Sequence, residues 1–298
     1  SVYIGNEAGE NVDNSDGGVG SNTFIGDKAG QNVTSGMQNT FLGTNAGSNV
    51  TTGINNVIIG QGTGGGTNIS YNIIIGRSAG TQVGSNDGGA QHNIIFGNGT
   101  VSQNGGNIDY NVIIGYRASR YLGDDEGSNN VHIGREVANN VVTASQNVAI
   151  GYQAMEDAGG GTAGGHHVQN NVAIGSFVLK NITKDADNNV VIGTSAANLN
   201  TTGSRNIVMG YRAAYGNTDG DLGKNNIFIG TGTGNAIDGG EYNVLLGKDA
   251  GNTLTTANDN ILIGQSAGSQ QTTGNHIIAL GKNAGKGSGV TADTNASS

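Results

Sequence analysis

The side chains of this chain that could take part in chemistry lie mainly in its loops. Carboxylates cluster at residues 13–16, 124–126, 185–187 and 219–221, and oxygen-rich loops of this kind can hold Ca²⁺. None of the four clusters has the spacing of an EF-hand or of a Gly-Gly-x-Gly-x-Asp array. Solvated loops are therefore the favoured interpretation, and calcium binding is the alternative.

Histidines and paired carboxylates point only weakly to a catalytic or metal site. His166 and His167 are adjacent in a glycine-rich loop without a third ligand nearby, which favours exposed loop residues over metal ligands. Asp124 and Glu126 could act on a glycosidic bond from neighbouring loops, but no acidic cluster lies on a strand. We therefore expect no catalytic residue, no cofactor and no metal ion, and hence a protein that is not an enzyme.

An apolar triplet closed by glycine recurs sixteen times, at intervals of 16–24 residues. Its first residue is β-branched in every copy, and its third is large and apolar. These residues predict strand rather than helix, and self-similarity at such a period is typical of a solenoid. The sequence predicts an all-β protein, a parallel β-solenoid of about sixteen coils, continuous over residues 1–285 and followed by a polar tail at 286–298.

Asparagine stands directly before the triplet in fourteen of the sixteen repeats. In stacked coils such side chains would lie about 4.8 Å apart, so that each amide can bond the next as in cross-β stacks. We interpret this column as a structural ladder, with ligand binding as the alternative. The ladder residues are Asn22, Asn39, Asn56, Asn72, Asn93, Asn111, Asn130, Asn147, Asn171, Asn189, Asn206, Asn226, Asn243 and Asn260.

The middle residue of the triplet is apolar in nearly every repeat. Because the first and third residues are so uniform, we expect them to face the interior and the middle residue to face outward. The outward stripe would be roughly 75 Å long, which is more apolar surface than monomers usually expose. We expect it to be an interface between copies of the chain. The interface residues are Tyr3, Phe24, Phe41, Ile58, Ile74, Ile95, Ile113, His132, Val191, Val208, Phe228, Leu245 and Leu262.

Small residues follow the triplet glycine, usually alanine at the third position and then another small residue, as at Ala46 and Gly47. We expect a second short strand here, with its small side chain facing the first strand. The triplet glycine itself is expected at a bend with positive φ. His132 breaks the apolar stripe. Simple packing is the favoured interpretation, and the alternative is that three copies meeting at an axis hold an anion or a water there.

The bulk composition excludes several classes of protein. The chain has 298 residues, a formal net charge of −9 and thirteen scattered Lys and Arg residues, which argues against a nucleic-acid partner. No apolar run approaches the ~20 residues that span a membrane. There is no cysteine, and therefore no disulfide or thiolate site. Because the chain begins at Ser1, we interpret it as a mature or trimmed piece of a secreted precursor.

Three segments carry a resemblance to a known family. They are Asn-Thr-Phe-Leu-Gly-Thr-Asn-Ala-Gly at residues 39–47, Asn-Val-Ile-Ile-Gly at 56–60 and Asn-Val-Ala-Ile-Gly-Tyr-Gln-Ala at 147–154. They resemble the head repeats of YadA-like trimeric autotransporter adhesins and are similar to the repeats of bacteriophage tail fibres. This resemblance implies left-handed β-rolls that pack as a homotrimer around a threefold axis.

Together these features predict a structural fibre or filament subunit with an adhesive role, extracellular, on a cell surface or on a virion. Its copies would assemble through the apolar stripe and through the open ends of the solenoid. A phage tail-fibre shaft or receptor-binding protein is the alternative, and a polysaccharide-degrading tailspike or an ice-binding solenoid fits less well. The expected partners are further copies of the chain and a cell-surface glycan or matrix, without nucleic acid or membrane insertion.

Overall fold

A computed structural model describes residues 1–13, 20–84, 89–103, 106–122, 127–141, 144–157, 168–182, 186–216, 220–287 and 296–297. These residues form strands and turns without a helix, and the strands stack in parallel as a β-solenoid of about fourteen turns. The predicted all-β solenoid is therefore confirmed. The chain forms two compact units, Ser1–Gln146 and Asn147–Ser298, so a single solenoid over residues 1–285 stays a prediction, as do its handedness and the polar tail.

The first unit contains eight triplet strands. Each pairs with the next in parallel and in register, so that equivalent residues of successive repeats lie side by side. The strands are Val2–Ile4, Thr23–Ile25, Thr40–Leu42, Val57–Ile59, Ile73–Ile75, Ile94–Phe96, Val112–Ile114 and Val131–Ile133.

The second unit repeats this arrangement with eight more triplet strands in parallel register. Asn200–Ser204 pairs in parallel with Gly220–Lys224, and Ala296–Ser297 pairs with the last triplet strand. Val168–Gln169 is a further short strand of this unit, and Ala144–Ser145 is a short strand of the first unit. The triplet strands are Val148–Ile150, Val172–Ile174, Val190–Ile192, Ile207–Met209, Ile227–Ile229, Val244–Leu246, Ile261–Ile263 and Ile278–Leu280.

Each strand stops after three residues because the glycine that follows bends the chain. The triplet glycines have φ values such as +130° at Gly43 and +148° at Gly134, as predicted, and L-residues rarely adopt this region. The glycines of successive coils are also in close contact. A Cβ on Gly43 would lie 2.7 Å from the carbonyl oxygen of Gly60, so both the backbone angle and the space require glycine.

The middle residue of each triplet points into the solenoid, and the prediction that it faces outward is wrong. Apart from the half-buried Tyr3, these side chains are buried. The first and third residues face outward instead, as at Ile4 and Leu280, which are 57% and 50% exposed. The predicted interface residues that belong to the core are Tyr3, Phe24, Phe41, Ile58, Ile74, Ile95, Ile113, His132, Val191, Val208, Phe228, Leu245 and Leu262.

The core accepts middle residues of different sizes because a second position compensates for them. Six residues after a middle phenylalanine stands a glycine, as at Phe24 and Gly30, whereas Ala173 is followed six residues later by the buried Leu179. A Cβ on Gly30 would come within 2.7 Å of the Phe24 ring, so the two positions share one space. Close packing therefore keeps their combined volume, rather than the size of either residue, roughly constant from coil to coil, except in the last coil, where Ala279 is paired with a glycine.

The segment after the triplet glycine is a turn, and the prediction of a second strand is wrong. Ala46 is buried, as expected for its small side chain. However, its neighbours Asn45 and Gly47 have φ values of +56° and +58°, which coil the backbone too tightly for a strand. The turns still stack, because the Gly47 N–H donates to the carbonyl of Thr63 in the next coil at 2.9 Å.

Candidate interaction surface and asparagine ladder

The structure brings the ladder asparagines together inside each unit, where all of them are buried. At Asn56 the backbone N–H donates to Oδ1 of Asn39 at 2.9 Å, and the side-chain Nδ2 donates to the same oxygen at 3.0 Å. The Nδ2 also donates to the carbonyl of Ile69 at 2.7 Å. The asparagine amide thus bonds both to the neighbouring ladder asparagine and to a backbone carbonyl on the far side of its own coil. These bonds leave no polar group for a ligand, so the geometry favours a structural role.

At both ends of the asparagine column, a backbone N–H still donates to a side-chain oxygen of the preceding coil. Ser1 takes the asparagine position in the first repeat, and its Oγ accepts from the backbone N–H of Asn22 at 3.2 Å. Ile277 takes that position in the last repeat, and its N–H donates to Oδ1 of Asn260 at 2.8 Å. Between them lie Asn22, Asn39, Asn56, Asn72, Asn93, Asn111 and Asn130 in the first unit and Asn147, Asn171, Asn189, Asn206, Asn226, Asn243 and Asn260 in the second.

The first and third residues of the triplets form an exposed apolar face on each unit, hereafter the apolar face. Its first-residue column is interrupted by polar side chains only at Thr23 and Thr40. Eight strands at ~4.8 Å make the face of each unit about 38 Å long. With a width of ~10 Å it covers roughly 400 Å² per unit, within the range of the largest patch on a typical monomer. The most exposed members are Val2, Ile4, Leu42, Ile73, Ile94, Phe96, Ile114, Val190, Ile207, Met209, Ile229, Ile261, Ile263, Ile278 and Leu280.

Polar and aromatic side chains border the apolar face on the side where the strands begin. Gln38 and Asn129 are exposed at the position before the ladder asparagine. Tyr71, His92 and Tyr110 occupy the same position in successive coils and stack with ring centroids 4.9 and 5.0 Å apart. An apolar centre with a polar and aromatic rim is the usual anatomy of a protein interface. The stacked rings extend the apolar surface of the first unit sideways.

His132 lies in the core of the first unit, in register with Ile113 on the preceding strand. Its Nδ1 is 2.7 Å from Oγ of Ser119. Its Nε2 is buried and has no hydrogen-bond partner among the described residues. Burial lowers the pKa of His132 from its ordinary 6.5 to about 4, because the charged imidazolium would lose its hydration. His132 is therefore a neutral core residue, as simple packing predicts, and the alternative that its three copies hold an anion or a water at an axis is wrong.

The candidate chemical groups of the loops are only partly described. His166, His167 and the acidic cluster at 124–126 lie outside the described residues, as do residues 14–16, 185 and 219. Asp187 and Asp221 are described, and each accepts a backbone N–H bond, from Gln169 at 2.8 Å and from Gly223 at 2.9 Å. Within the described part of the chain, no group of three or more His, Asp or Glu side chains could hold a metal ion.

The same described residues contain no helix that is long and apolar enough to cross a membrane. Comparison with protein-family models, curated proteins and solved structures finds no match to this chain. The fold is that of a β-solenoid repeat protein. The function must therefore be argued from the surface of the units.

The apolar face is the candidate functional surface, and the sequence alone predicts it at the wrong residues of the triplet. The sequence marks the first and third columns as apolar strand residues, but their uniformity predicts that they lie inside. The signal that could have corrected this is the size compensation between positions six residues apart, such as Ala149 with Met155 and Phe228 with Gly234. Complementary sizes indicate that both residues fill one enclosed space, and they fix which face of the strand is the interior.

Proposed function

We propose that this chain is a non-enzymatic structural fibre subunit with an adhesive role, whose copies associate side by side through the apolar face. The observation that carries this proposal is a pair of apolar columns that stay half-buried to exposed in every repeat, on strands whose other face is already buried. A parallel strand that is apolar on both faces is normally covered on both. In this proposal, neighbouring molecules in an assembly cover the face that a single chain leaves exposed.

Another copy of the same chain is the partner that fits this surface best. Its apolar face has the same length and the same ~4.8 Å repeat, so that side chains can interdigitate at every rung. The two units together offer roughly 800 Å² per chain, which is close to the contribution of one partner to a standard interface. In a parallel arrangement Thr23 and Thr40 of one copy would meet the same residues of the others, so that no polar group opposes an apolar one.

A threefold arrangement agrees with the resemblance to YadA-like adhesin heads and to phage tail fibres. In this proposal the assembly is extracellular or part of a virion, and its outward turns are free to contact a cell-surface glycan or matrix. Contact between the ends of the solenoids is a further part of the proposal, since the Val2–Ile4 strand pairs on one side with Thr23–Ile25. A phage fibre shaft or receptor-binding protein is the alternative biological setting.

Cysteine cross-linking tests the side-by-side contact directly, because the chain has no cysteine of its own. Ile94→Cys and Ile261→Cys each place one thiol on the apolar face, and the matched control Ser35→Cys places one on an exposed turn. Under mild oxidation at micromolar concentration we expect Ile94→Cys to cross-link to Ile94→Cys of a second copy. The Ile261 variant should behave in the same way.

The outcome separates the possible arrangements. Cross-links at both apolar positions and none at Ser35 support a parallel assembly through the apolar face. Cross-links that form only when the Ile94 and Ile261 variants are mixed would indicate an antiparallel pair and would contradict the parallel arrangement. Equal cross-linking at all three positions, or none at the two apolar positions, would overturn the proposal.

A further inference from the structure

An open notch lies among the turns of the second unit, and its lining residues are not members of the apolar face. The notch has a volume of about 240 Å³, and its lining includes Tyr211, Arg212, Gly232 and Asp249. Arg212, Gly232 and Asp249 each stand two residues after a triplet glycine in three successive coils. Arg212 and Asp249 belong to the coils on either side of the coil that contains Gly232. Because Gly232 has no side chain, a space remains between the Arg212 guanidinium and the Asp249 carboxylate.

The backbone does not require glycine at position 232. Gly232 has a φ of +64°, and non-glycine residues hold nearly the same angle at this position of other repeats, as Asn45 does at +56° and Arg212 at +51°. A Cβ on Gly232 would meet only the end of the Asp249 side chain, with Oδ1 at 2.7 Å. The glycine therefore leaves space on the surface without being needed for the fold, in contrast to the triplet glycines.

Polar side chains of these turns usually bond to the neighbouring coil. Lys28 pairs with Glu7 at 3.5 Å, and Lys180 pairs with Glu156 at 3.1 Å. At the notch this does not happen. Within the described part of the chain, the side-chain amides of Asn235 and Asn252 make no hydrogen bond, although both line the notch. These amides and the Thr231 hydroxyl remain available to a ligand.

The charges at the notch favour an anion that also carries hydroxyl groups. The guanidinium carbon of Arg212 lies 4.2 Å from the centroid of the Tyr215 ring, which holds its charge in place. Lys248 Nζ is 3.7 Å from Oδ2 of Asp249 and compensates that carboxylate. The described charged groups here thus leave an excess of one positive charge, on a chain whose net charge is −9. Guanidinium is the side-chain group best suited to carboxylate recognition.

We infer that this notch binds a pyranose that bears a carboxylate, as in the uronic or sialic acid residues of an acidic glycan. Arg212 receives the carboxylate, and Asn235, Asn252 and Thr231 exchange hydrogen bonds with ring hydroxyls. The exposed Tyr211 ring offers an apolar surface to the C–H groups of the sugar. The small volume suits one sugar ring rather than a drug-sized ligand. This inference rests on the adhesive role in the proposed function and gives that role a chemical target.

Binding of acidic saccharides to the full chain tests the inference. Trigalacturonate and sialyllactose are the two acidic probes, and maltotriose is the neutral one, each titrated by ligand-observed NMR. We expect at least one acidic probe to bind about tenfold more tightly than maltotriose, since the charge-assisted bonds to Arg212 are lost with a neutral sugar. Which acidic probe binds identifies the source of the carboxylate.

Two variants and one control locate the binding site. Arg212→Gln removes the guanidinium, and Gly232→Asn fills the notch with a residue that tolerates positive φ. Each should weaken binding about tenfold or more. The control Gly62→Asn stands at the same position of a coil in the first unit, where a Cβ meets nothing within 4 Å, and should bind like the wild type.

The inference is overturned if neither acidic probe binds at millimolar concentration, or if Arg212→Gln and Gly232→Asn bind as tightly as the wild type. Sedimentation of the same samples keeps the two proposals apart. The notch residues lie outside the apolar face, so loss of saccharide binding with an unchanged sedimentation coefficient concerns the notch alone. A monomeric wild type that still binds the saccharide would refute only the assembly.

Discussion

A ladder asparagine such as Asn111 donates and accepts hydrogen bonds in three directions from one amide. At Asn111 the Nδ2 donates to Asn93 Oδ1 at 3.0 Å and to the Gly127 carbonyl at 2.9 Å. Its Oδ1 accepts the backbone N–H of Asn130 at 2.9 Å. A carboxylate of the same shape can only accept, so aspartate cannot replace asparagine here.

Asn111→Asp should therefore lower the free energy of unfolding by about 3 kcal/mol or more, because it buries an uncompensated charge and leaves the Gly127 carbonyl without its donor. Denaturant unfolding followed by circular dichroism measures the change. The control Asn129→Asp has the same charge change at an exposed position with φ of +61°, which aspartate tolerates. Equal stability of the two variants would show that the ladder bonds contribute little.

Because of His132, the free energy of unfolding should depend on pH in the acid range. Its pKa is lowered by burial to about 4 in the folded chain, against 6.5 when exposed. The unfolded chain therefore binds the proton more readily. The stability that depends on neutral His132 is fully present above pH 6.5 and is lost as the pH falls towards 4.

Between these pH values the contribution of His132 should fall by about 3 kcal/mol, at ~1.4 kcal/mol per pH unit. The variant His132→Leu lacks this loss, so its unfolding free energy relative to the wild type should improve steadily from pH 7 to pH 4. Thermal or urea unfolding at several pH values measures the difference. Parallel pH profiles for the two proteins would contradict a buried neutral histidine.

At the scale of the coil, the triplet glycines set where each strand ends. A Cβ at Gly76 would lie 2.2 Å from the carbonyl oxygen of Gly97, and its φ is +135°. Gly76→Ala should therefore cost more than about 3 kcal/mol, through both backbone strain and displacement of the next coil. Gly62→Ala, with φ of +60° and open space around the Cβ, should cost only about 1–2 kcal/mol. Comparable losses in the two variants would contradict the close stacking of the glycine column.

The shared volume inside a coil predicts a coupled pair of substitutions. Ala173→Leu alone adds volume beside the buried Leu179 and should destabilise the fold by about 1–3 kcal/mol. Leu179→Ala alone leaves a cavity that costs about 2–5 kcal/mol. The double variant exchanges the two sizes, as in the coil that contains Leu245 and Gly251, and should recover a large part of both losses. Additive losses in a double-mutant cycle would show that the two positions do not share one space.

The strand and bend positions could be predicted from sequence because each rests on a local residue preference. Sixteen β-branched first residues mark strands, and glycine marks the bends. The inner and outer faces could not be separated by hydrophobicity, since Ile73, Ile74 and Ile75 are all isoleucine and only Ile74 is buried. The turns were mistaken for strands because residues such as Lys28 and Glu136 take positive φ under tertiary constraint, against their own preference.

At the scale of the whole molecule, the correction of the strand faces changes which residues the proposed interface would use. The middle residues are covered within the chain, and the first and third residues are the ones that remain for a partner. The net charge of −9 disfavours non-specific association between copies, so the proposed contact depends on the apolar face. The double variant Ile73→Lys with Ile94→Lys places two charges on that face without touching the core.

Sedimentation equilibrium of the full chain at micromolar concentration tests the central claim, that copies meet through the apolar face. The wild type should sediment as a multiple of 29.9 kDa, with three copies as the proposed state. The Ile73→Lys and Ile94→Lys double variant should sediment as a folded species of 29.9 kDa, whereas Ser35→Lys should keep the wild-type mass. A wild type that remains at 29.9 kDa, or a double variant that assembles like the wild type, would contradict the account.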